Sequence, residues 1–312
     1  MKILIIGGNG FIGARLAKAL YEEGNKVYVT GRNNNFPVAK NIHFKKYDLL
    51  KSTEKNTFDL VKGMNLVIYA AGISAYDCEK NTKNGYEVNG NSVSKIIRSA
   101  EIAGVKKFIY ISTVHVYSRP LDGMISEETI AKNIHPYSTS HLIGESITIE
   151  AANRGKIDCL ILRLSNSFGV PVINRPSAWE PFINQICKQA VLDKKIMIHG
   201  NGQEMRDVIS MEAVCEFIKK IVKINWNVNK LIIANLCSGH SYSIQYISEY
   251  IKKRTETIFG HSPPIVICQK KIDNISNEKP VFQLSKFVKN SLNHDLINLN
   301  EIDNILVYLS KV

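Results

Sequence analysis

Residues 2–13 read Lys-Ile-Leu-Ile-Ile-Gly-Gly-Asn-Gly-Phe-Ile-Gly, a short apolar run followed at once by a glycine-rich turn. The apolar run predicts a buried first strand, and the apolar spacing from Phe11 to Glu23 predicts the first helix. Glycines at 7, 10 and 13 suit a loop that turns sharply, exposes its backbone and brings the helix close to the strand. This strand, loop and helix predict a phosphate group held at the helix N-terminus.

The rest of the first half alternates short apolar runs with amphipathic stretches. Strands that are buried on both faces and separated by helices indicate a parallel sheet, so we expect a Rossmann-type doubly wound α/β fold. The other predicted strands are Lys26 to Thr30, Ile42 to Tyr47, Leu66 to Tyr69, Lys107 to Ile111 and Cys159 to Leu162. The other predicted helices of this half are Gly90 to Ala103 and Tyr137 to Asn153.

The pattern changes after Asn166, where three prolines fall within eleven residues. We therefore expect a dinucleotide-binding domain over 1–167 and a smaller mixed α/β lobe over 168–312, with some segments of the lobe able to return to the sheet. The helices predicted there are Phe182 to Leu192, Met211 to Val222 and Ile244 to Arg254. The strands predicted there are Lys195 to His199, Lys230 to Leu236 and Ile265 to Cys268.

Composition excludes several classes of protein. The chain has 312 residues, of which 45% are apolar and 22% charged, as in an ordinary globular protein, and no apolar run is long enough to span a membrane. The formal charge is +12, but the lysines are scattered, so we expect small phosphorylated ligands and no nucleic acid. Six widely spaced cysteines predict reduced thiols in a cytoplasmic protein, and neither they nor the histidines predict a metal site.

The end of the second predicted strand bears on the choice of cofactor. A dinucleotide-binding fold usually has an acidic residue there to bind the 2'-hydroxyl of the NAD ribose, whereas this chain has Thr30-Gly31-Arg32. A guanidinium pairs with the 2'-phosphate of NADP. Arg32 therefore favours NADP over NAD, unless it is an ordinary surface arginine.

Two further segments carry the chemistry. Tyr110-Ile-Ser-Thr-Val-His-Val-Tyr117 includes the end of a predicted strand, and Pro136-Tyr-Ser-Thr-Ser-His-Leu-Ile-Gly-Glu145 opens a predicted helix. With the glycine loop, they make the chain resemble the extended short-chain dehydrogenase/reductases, the group of NAD(P)-dependent nucleotide-sugar epimerases, dehydratases and reductases. The other matching segments are Asp48-Leu49, Ala70-Ala71-Gly72, Asn89, Leu162 to Asn166, Phe168-Gly169 and Gly202 to Ile209.

The resemblance implies specific roles. Tyr137 exchanges a proton with a sugar hydroxyl or ketone while hydride moves to or from the nicotinamide, and Thr113 hydrogen-bonds the same oxygen. It also implies an isologous homodimer. The residues expected at the cofactor are Gly7, Gly10, Phe11, Ile12, Gly13, Arg32, Asp48, Leu49, Ala70, Ala71, Gly72, Tyr137 and His141. Asn166 and Arg206 are expected at the sugar nucleotide diphosphate, with Lys270 or Lys271 replacing a second phosphate-binding arginine. His115, two residues from Thr113, either faces the substrate as a second acid or base or is a polar residue satisfied by the backbone.

Two departures from the family pattern narrow the reaction. The family has a lysine four residues after the tyrosine, whereas this chain has His141, a shorter and mostly neutral group. Where 4,6-dehydratases of the family have Asp and Glu, this chain has Val114 and His115. The missing carboxyl pair leaves a C4 oxidoreductase of a nucleotide-activated hexose. Arg32 favours a 4-keto sugar reductase, because cells keep NADP reduced, and a 4-epimerase is the alternative. His141 leaves open a catalytically silent NAD(P)-binding protein.

Overall fold

Seven parallel strands form the central sheet of the computed structural model, which describes residues 1–33, 36, 41–224, 226, 231–268, 279–293 and 299–312. Their order is β11-β7-β5-β4-β1-β2-β3, so strand addition reverses between β1 and β4 and the doubly wound α/β fold is confirmed. The strands of the described residues are β1 (Lys2–Ile6), β2 (Lys26–Gly31), β3 (Ile42–Lys46), β4 (Leu66–Tyr69), β5 (Lys107–Thr113), β6 (Met124–Ile125), β7 (Asp158–Leu164), β8 (Asn166–Phe168), β9 (Ile196–His199), β10 (Met205–Ser210), β11 (Leu231–Leu236), β12 (Ser241–Ser243), β13 (Ile265–Cys268) and β14 (Val281–Phe282).

Helices cover both faces of the sheet. Those of the described residues are α1 (Phe11–Glu22), α2 (Glu54–Val61), α3 (Ala75–Lys80), α4 (Thr82–Gly85), α5 (Ser92–Ile102), α6 (Pro136–Asn153), α7 (Phe182–Lys188), α8 (Met211–Lys223), α9 (Ile244–Phe259), α10 (Lys286–Ser291) and α11 (Glu301–Leu309). The helix predicted over Gly90 to Ala103 is α5 preceded by a π-helical turn, Tyr86–Asn91. Sequence analysis missed α2, although Thr53 and Asn56 form a capping box at its start.

Strand ends are where pattern and structure differ most. The fifth strand was predicted to end at Ile111 but runs to Thr113, because its pairing with β7 continues to the register Thr113 opposite Leu164. The third strand, predicted over Ile42 to Tyr47, ends one residue earlier, at Lys46. The longer β5 makes Thr113 the last residue of a central strand, at the carboxyl edge of the sheet.

The residues beyond 167 contribute strands to the central sheet and to a separate, smaller sheet. β11 pairs in parallel with β7 and so extends the central sheet, while its predicted first residue, Lys230, lies outside the described residues. A separate three-stranded sheet has the order β12-β10-β8 and contains Arg206, on a strand that the sequence pattern did not predict. The boundary between 1–167 and 168–312 stays a prediction.

Alternate residues of the central strands pack into two hydrophobic cores, one on each face of the sheet. Ile3 and Ile5 of β1 pack on the side of α1 and α8, whereas Leu4 and Ile6 pack on the side of α5 and α6. All four side chains are fully buried, and each contributes about 1.5–3 kcal/mol by leaving water. Within the described residues, no helix combines the length and the apolar character that a membrane crossing needs.

A buried ion pair fixes α6 to the sheet. Arg163 of β7 donates two hydrogen bonds to Glu145 of α6, at 3.0 Å from Nε and 2.7 Å from Nη2. Ser112 of β5 donates to the same carboxylate at 2.6 Å, and Arg163 also donates to the Tyr117 hydroxyl at 2.9 Å. The Arg163 and Glu145 side chains are only 8% and 3% exposed, so removing one partner would leave an unpaired charge in the interior.

We therefore expect Glu145→Gln to lower the free energy of unfolding by on the order of 3–5 kcal/mol, the usual cost of removing one partner of a buried pair. Glu150→Gln is the matched control, because Glu150 lies on the same helix but its pair with Arg154 is exposed and is worth at most about 1 kcal/mol. Urea unfolding of both variants gives the comparison. Equal losses would contradict a special role for the Arg163–Glu145 pair.

Candidate active site

The glycine loop is packed too tightly for side chains at two of its three positions. Gly7 has φ +78°, and a Cβ there would lie 2.5 Å from Ala71 Cα. At Gly13 a Cβ would lie 2.4 Å from the Gly7 carbonyl oxygen. The Thr30 hydroxyl accepts a hydrogen bond from the Gly7 amide at 3.0 Å and so ties the loop to the end of β2. The loop is thus held against both neighbouring strands.

The loop and the start of α1 suit a pyrophosphate. No described side chain caps the N-terminus of α1, whose first residues are Phe11 and Ile12. At Gly10 a Cβ would meet only the Gly7 carbonyl oxygen within 4 Å, so the backbone at this position is open to a ligand. Uncapped amides at a helix N-terminus are donors for an anion. The residues present therefore fit the phosphates of a dinucleotide.

The other predicted cofactor residues lie at the same edge of the sheet. Asp48 and Leu49 follow the end of β3, and the Asp48 carboxylate accepts a hydrogen bond from the Leu50 amide at 3.0 Å. Ala70, Ala71 and Gly72 follow β4. Arg32 follows β2 and is exposed. Because parallel strands end together, the chain topology brings these segments and the glycine loop to one side.

Tyr137 and Thr113 meet where α6 begins beside the end of β5. The Thr113 hydroxyl lies close enough to the Tyr137 phenol to lower its pKa, and it accepts the His115 amide hydrogen at 3.2 Å. Thr113 therefore has its own hydrogen to donate to the phenol oxygen. Burial raises the pKa of Tyr137 to about 12, and the nearby Thr113 hydroxyl opposes this rise. The phenol of the free protein is accordingly protonated at neutral pH.

His141 is buried one turn further along α6, and its ring makes a T-shaped contact with the Tyr137 ring at 4.7 Å between centroids. Its Nδ1 lies 3.1 Å from the Tyr110 hydroxyl, which donates its hydrogen to the Asn89 carbonyl at 2.6 Å. Since that hydrogen is used, we assign the proton of this contact to His141 Nδ1. Burial, assisted by His115, lowers the pKa of His141 to about 3. His141 is therefore neutral at physiological pH.

A π-helical turn places Asn89 between three elements. Its amide oxygen accepts the Ile73 amide hydrogen at 2.9 Å, and its amide nitrogen donates to the Ser140 hydroxyl of α6 at 3.0 Å. The Tyr110 hydroxyl of β5 donates a hydrogen bond to the backbone carbonyl of Asn89. Asn89 thus links the segment after β4 to the helix that carries Tyr137.

His135 holds the first turn of α6, and sequence analysis gave it no role. Its Nδ1 accepts the Tyr137 amide hydrogen at 3.1 Å, and its Nε2 lies 2.6 Å from the Glu79 carboxylate of α3. These two partners fix the tautomer with hydrogen on Nε2. The available signal was its position, directly before a proline that opens a helix.

The structure brings the three predicted substrate residues close to one another. The His115 ring lies close enough to the Asn166 side chain and to Arg206 for both to shift its pKa. Burial, followed by the charge of Arg206, lowers the pKa of His115 to about 4, so its imidazole is neutral at working pH. Lys270 and Lys271 lie outside the described residues.

Arg206 carries a donor without a partner. Its Nε is buried and has no hydrogen-bond partner among the described residues. Its guanidinium lies over the Phe182 ring at 5.2 Å, and Nη2 lies 3.0 Å from the exposed Glu204 carboxylate. A buried guanidinium donor left unpaired is unfavourable unless an anion supplies the acceptor. Arg206 is therefore suited to a phosphate.

A cavity of about 710 Å³ lies elsewhere, between the outer faces of α1 and α8. Two of its lysine and arginine side chains are paired with carboxylates, Arg15 with Glu301 and Lys219 with Glu216. It contains none of the residues predicted for the cofactor or the substrate. Within the described ranges, no group of three or more His, Cys, Asp or Glu side chains is placed to hold a metal ion.

Known proteins resemble this chain over most of its length. A UDP-glucose 4-epimerase from Lactobacillus helveticus is 28% identical over 273 residues, which cover 82% of each chain. A putative UDP-glucose 4-epimerase from Methanocaldococcus jannaschii is 26% identical over 311 residues, 93% of this chain and 97% of that protein. The solved structure of MoeE5 in complex with UDP-glucose and NAD superposes with a TM-score of 0.82 at 19% identity, covering 100% and 99% of the two chains.

The family model described as the NAD dependent epimerase/dehydratase family matches residues 3–235. This match includes the glycine loop, the Thr113 and Tyr137 segments, and Arg206. It confirms the resemblance found in the sequence and supports a nicotinamide cofactor. The chain belongs to the NAD dependent epimerase/dehydratase family.

Proposed function

We propose that the protein is a 4-epimerase of a nucleoside-diphosphate hexose that keeps its nicotinamide cofactor through each cycle. The observation that carries the proposal is the proximity of the Tyr137 phenol to the Thr113 hydroxyl, which lowers the phenol pKa, at the sheet edge that also carries the glycine loop. The buried, unpaired Nε of Arg206 adds a donor suited to a phosphate. One relative, 28% identical, is named a UDP-glucose 4-epimerase, and another, 26% identical, a putative UDP-glucose 4-epimerase. UDP-hexoses are therefore the first substrates to test.

The residues have separate tasks in this proposal. Gly7, Gly10, Phe11, Ile12 and Gly13 hold the pyrophosphate of the cofactor, which supplies a hydride acceptor when bound. Thr113 hydrogen-bonds the oxygen at C4 of the hexose. Tyr137 takes the hydroxyl proton as the C4 alcohol becomes a ketone and returns it after the sugar has presented its other face.

On the substrate side, Arg206 holds the diphosphate by charge, and Asn166 supplies a neutral polar contact beside it. His115 lies between these residues and the Thr113 turn, and as a neutral imidazole it can donate or accept a hydrogen bond from the hexose. The residues after β4, including Gly72, complete the cofactor side of the cleft. The homodimer expected from the resemblance stays a prediction.

The residues after Thr113 argue against a 4,6-dehydratase. Removal of water from C5 and C6 needs a base and an acid at the sugar, and carboxyl groups at these two positions serve that purpose in the resembling dehydratases. Val114 is fully buried and apolar, and His115 is neutral. The expected product is therefore an epimer of the substrate, without loss of water.

A 4-keto sugar reductase is the second candidate. Arg32 is exposed at the end of β2, where a guanidinium can pair with the 2'-phosphate of NADP. A reductase would consume NADPH stoichiometrically, whereas an epimerase needs only the cofactor that it holds. Cofactor stoichiometry therefore separates the two.

The proposal predicts that UDP-glucose and UDP-galactose interconvert when the protein is incubated with catalytic NAD+, as followed by proton NMR. Tyr137→Phe should lower kcat by roughly 10²–10⁴-fold, because it removes the acid–base group but keeps the ring that packs against His141. Sugar conversion only with stoichiometric NADPH would favour the reductase. Cofactor binding without turnover of any nucleotide sugar would favour the silent binding protein.

A second prediction concerns His141. Replacing it by lysine puts a cation one turn from Tyr137, so the pKa of the phenol should fall by on the order of one unit. Tyr137 acts as a base in its deprotonated form, so the rising limb of kcat/KM against pH should move toward acid by the same amount. His141→Gln is the matched control, because it keeps a donor for Tyr110 without adding charge. Identical pH profiles for the two variants would show that the position does not tune Tyr137.

A further inference from the structure

Asn9 connects the glycine loop to the chain beyond β2. Its side-chain amide nitrogen donates to the Asn33 carbonyl oxygen at 2.6 Å, and the residue is only 7% exposed. A carbonyl oxygen can only accept a hydrogen bond, so it fixes which end of the Asn9 amide faces it. The amide oxygen, Oδ1, therefore points away from Asn33.

The Asn9 Oδ1 atom accepts no hydrogen bond within the described residues. It is also buried. A buried acceptor left in this state is unfavourable, and native structures rarely leave one without a ligand or a water. Asn9 lies within the loop that we propose to hold the cofactor, so the cofactor is the ligand best placed to supply the missing hydrogen.

Gly31 makes room for this arrangement. A Cβ at position 31 would lie 2.4 Å from Asn9 Nδ2 and 2.9 Å from its Cγ, so any side chain there would displace Asn9. The end of the second strand is also where dinucleotide-binding folds usually place the acidic residue that accepts the ribose 2'-hydroxyl. In this chain the Asn9 amide fills the space beside that position, and Gly31 has no side chain to offer.

We infer that Asn9 Oδ1 accepts a hydrogen bond from the 2'-hydroxyl of the adenosine ribose and so selects NAD(H) over NADP(H). The inference rests on the proposed use of a nicotinamide dinucleotide. The hydroxyl of NAD has the hydrogen that Oδ1 lacks, whereas the 2'-phosphate of NADP, when ionised, offers only acceptor oxygens. Asn9 thus opposes Arg32, which is exposed and can turn its guanidinium to solvent.

The test measures dissociation constants by calorimetry for NAD+, for its 2'-deoxyadenosine analogue and for NADP+. The wild-type protein should bind the deoxy analogue about tenfold more weakly than NAD+, and NADP+ at least as weakly. Asn9→Ala should bind NAD+ about tenfold more weakly and show no further loss with the analogue, because the partner of the hydroxyl is already gone.

Asn9→Asp separates this contact from a structural effect on the loop. It loses the donor to Asn33 but keeps an acceptor, so the penalty for the deoxy analogue should persist and NADP+ binding should weaken further through charge repulsion. An equal deoxy penalty in wild type and Asn9→Ala would overturn the inference while leaving the proposed function intact. Failure of the wild-type protein to bind any of the three dinucleotides would overturn both.

Discussion

The Arg163–Glu145 pair is the interaction on which the geometry of the site depends. It is bidentate and buried, and with Ser112 it joins α6 to the ends of β7 and β5. Tyr137 lies about two turns before Glu145 on the same helix. Its position relative to Thr113 is therefore set by the sheet. His135 and Asn89 add polar contacts at the first turns of α6, so the proposed acid–base group does not depend on a flexible loop.

The groups near Tyr137 and the proposed phosphate-binding group differ in charge. Near Tyr137 the described neighbours with resolved pKa shifts are neutral at physiological pH, because burial lowers the pKa of His141 to about 3 and raises that of Tyr137 to about 12. At the proposed phosphate-binding position, Arg206 supplies a positive charge. The site therefore attracts a diphosphate but has no charged group at position 141 to stabilise a phenolate. In this account, the charge that makes Tyr137 a base arrives with the oxidised cofactor.

Local patterns predicted much of this site. The glycine loop, the central strands and the Thr113 and Tyr137 segments each have a signature within a few consecutive residues, and parallel strands necessarily end at one edge. The contacts that sequence analysis missed join distant parts of the chain: Asn9 with Asn33, and His135 with Glu79. Sequence analysis allowed a segment beyond 167 to return to the sheet but did not identify β7 as the neighbour of β11. The residue patterns involved are ordinary until the fold brings the partners together. Arg32 lies where its residue type favours a contact with the 2'-phosphate of NADP, but residue type and position alone do not establish that contact.

The central claim is that Tyr137 is a protonated phenol in the free protein and becomes a base only when positive charge arrives with the cofactor. Carbon-13 NMR of tyrosine labelled at Cζ tests it most directly, with the Tyr137 signal assigned from its loss in Tyr137→Phe. The account predicts no titration of that signal from about pH 6 to pH 10 in the free protein, since its pKa is about 12, and a lower pKa with NAD+ than with NADH. A phenolate at neutral pH in the free protein, or equal pKa values with the two cofactor forms, would contradict it.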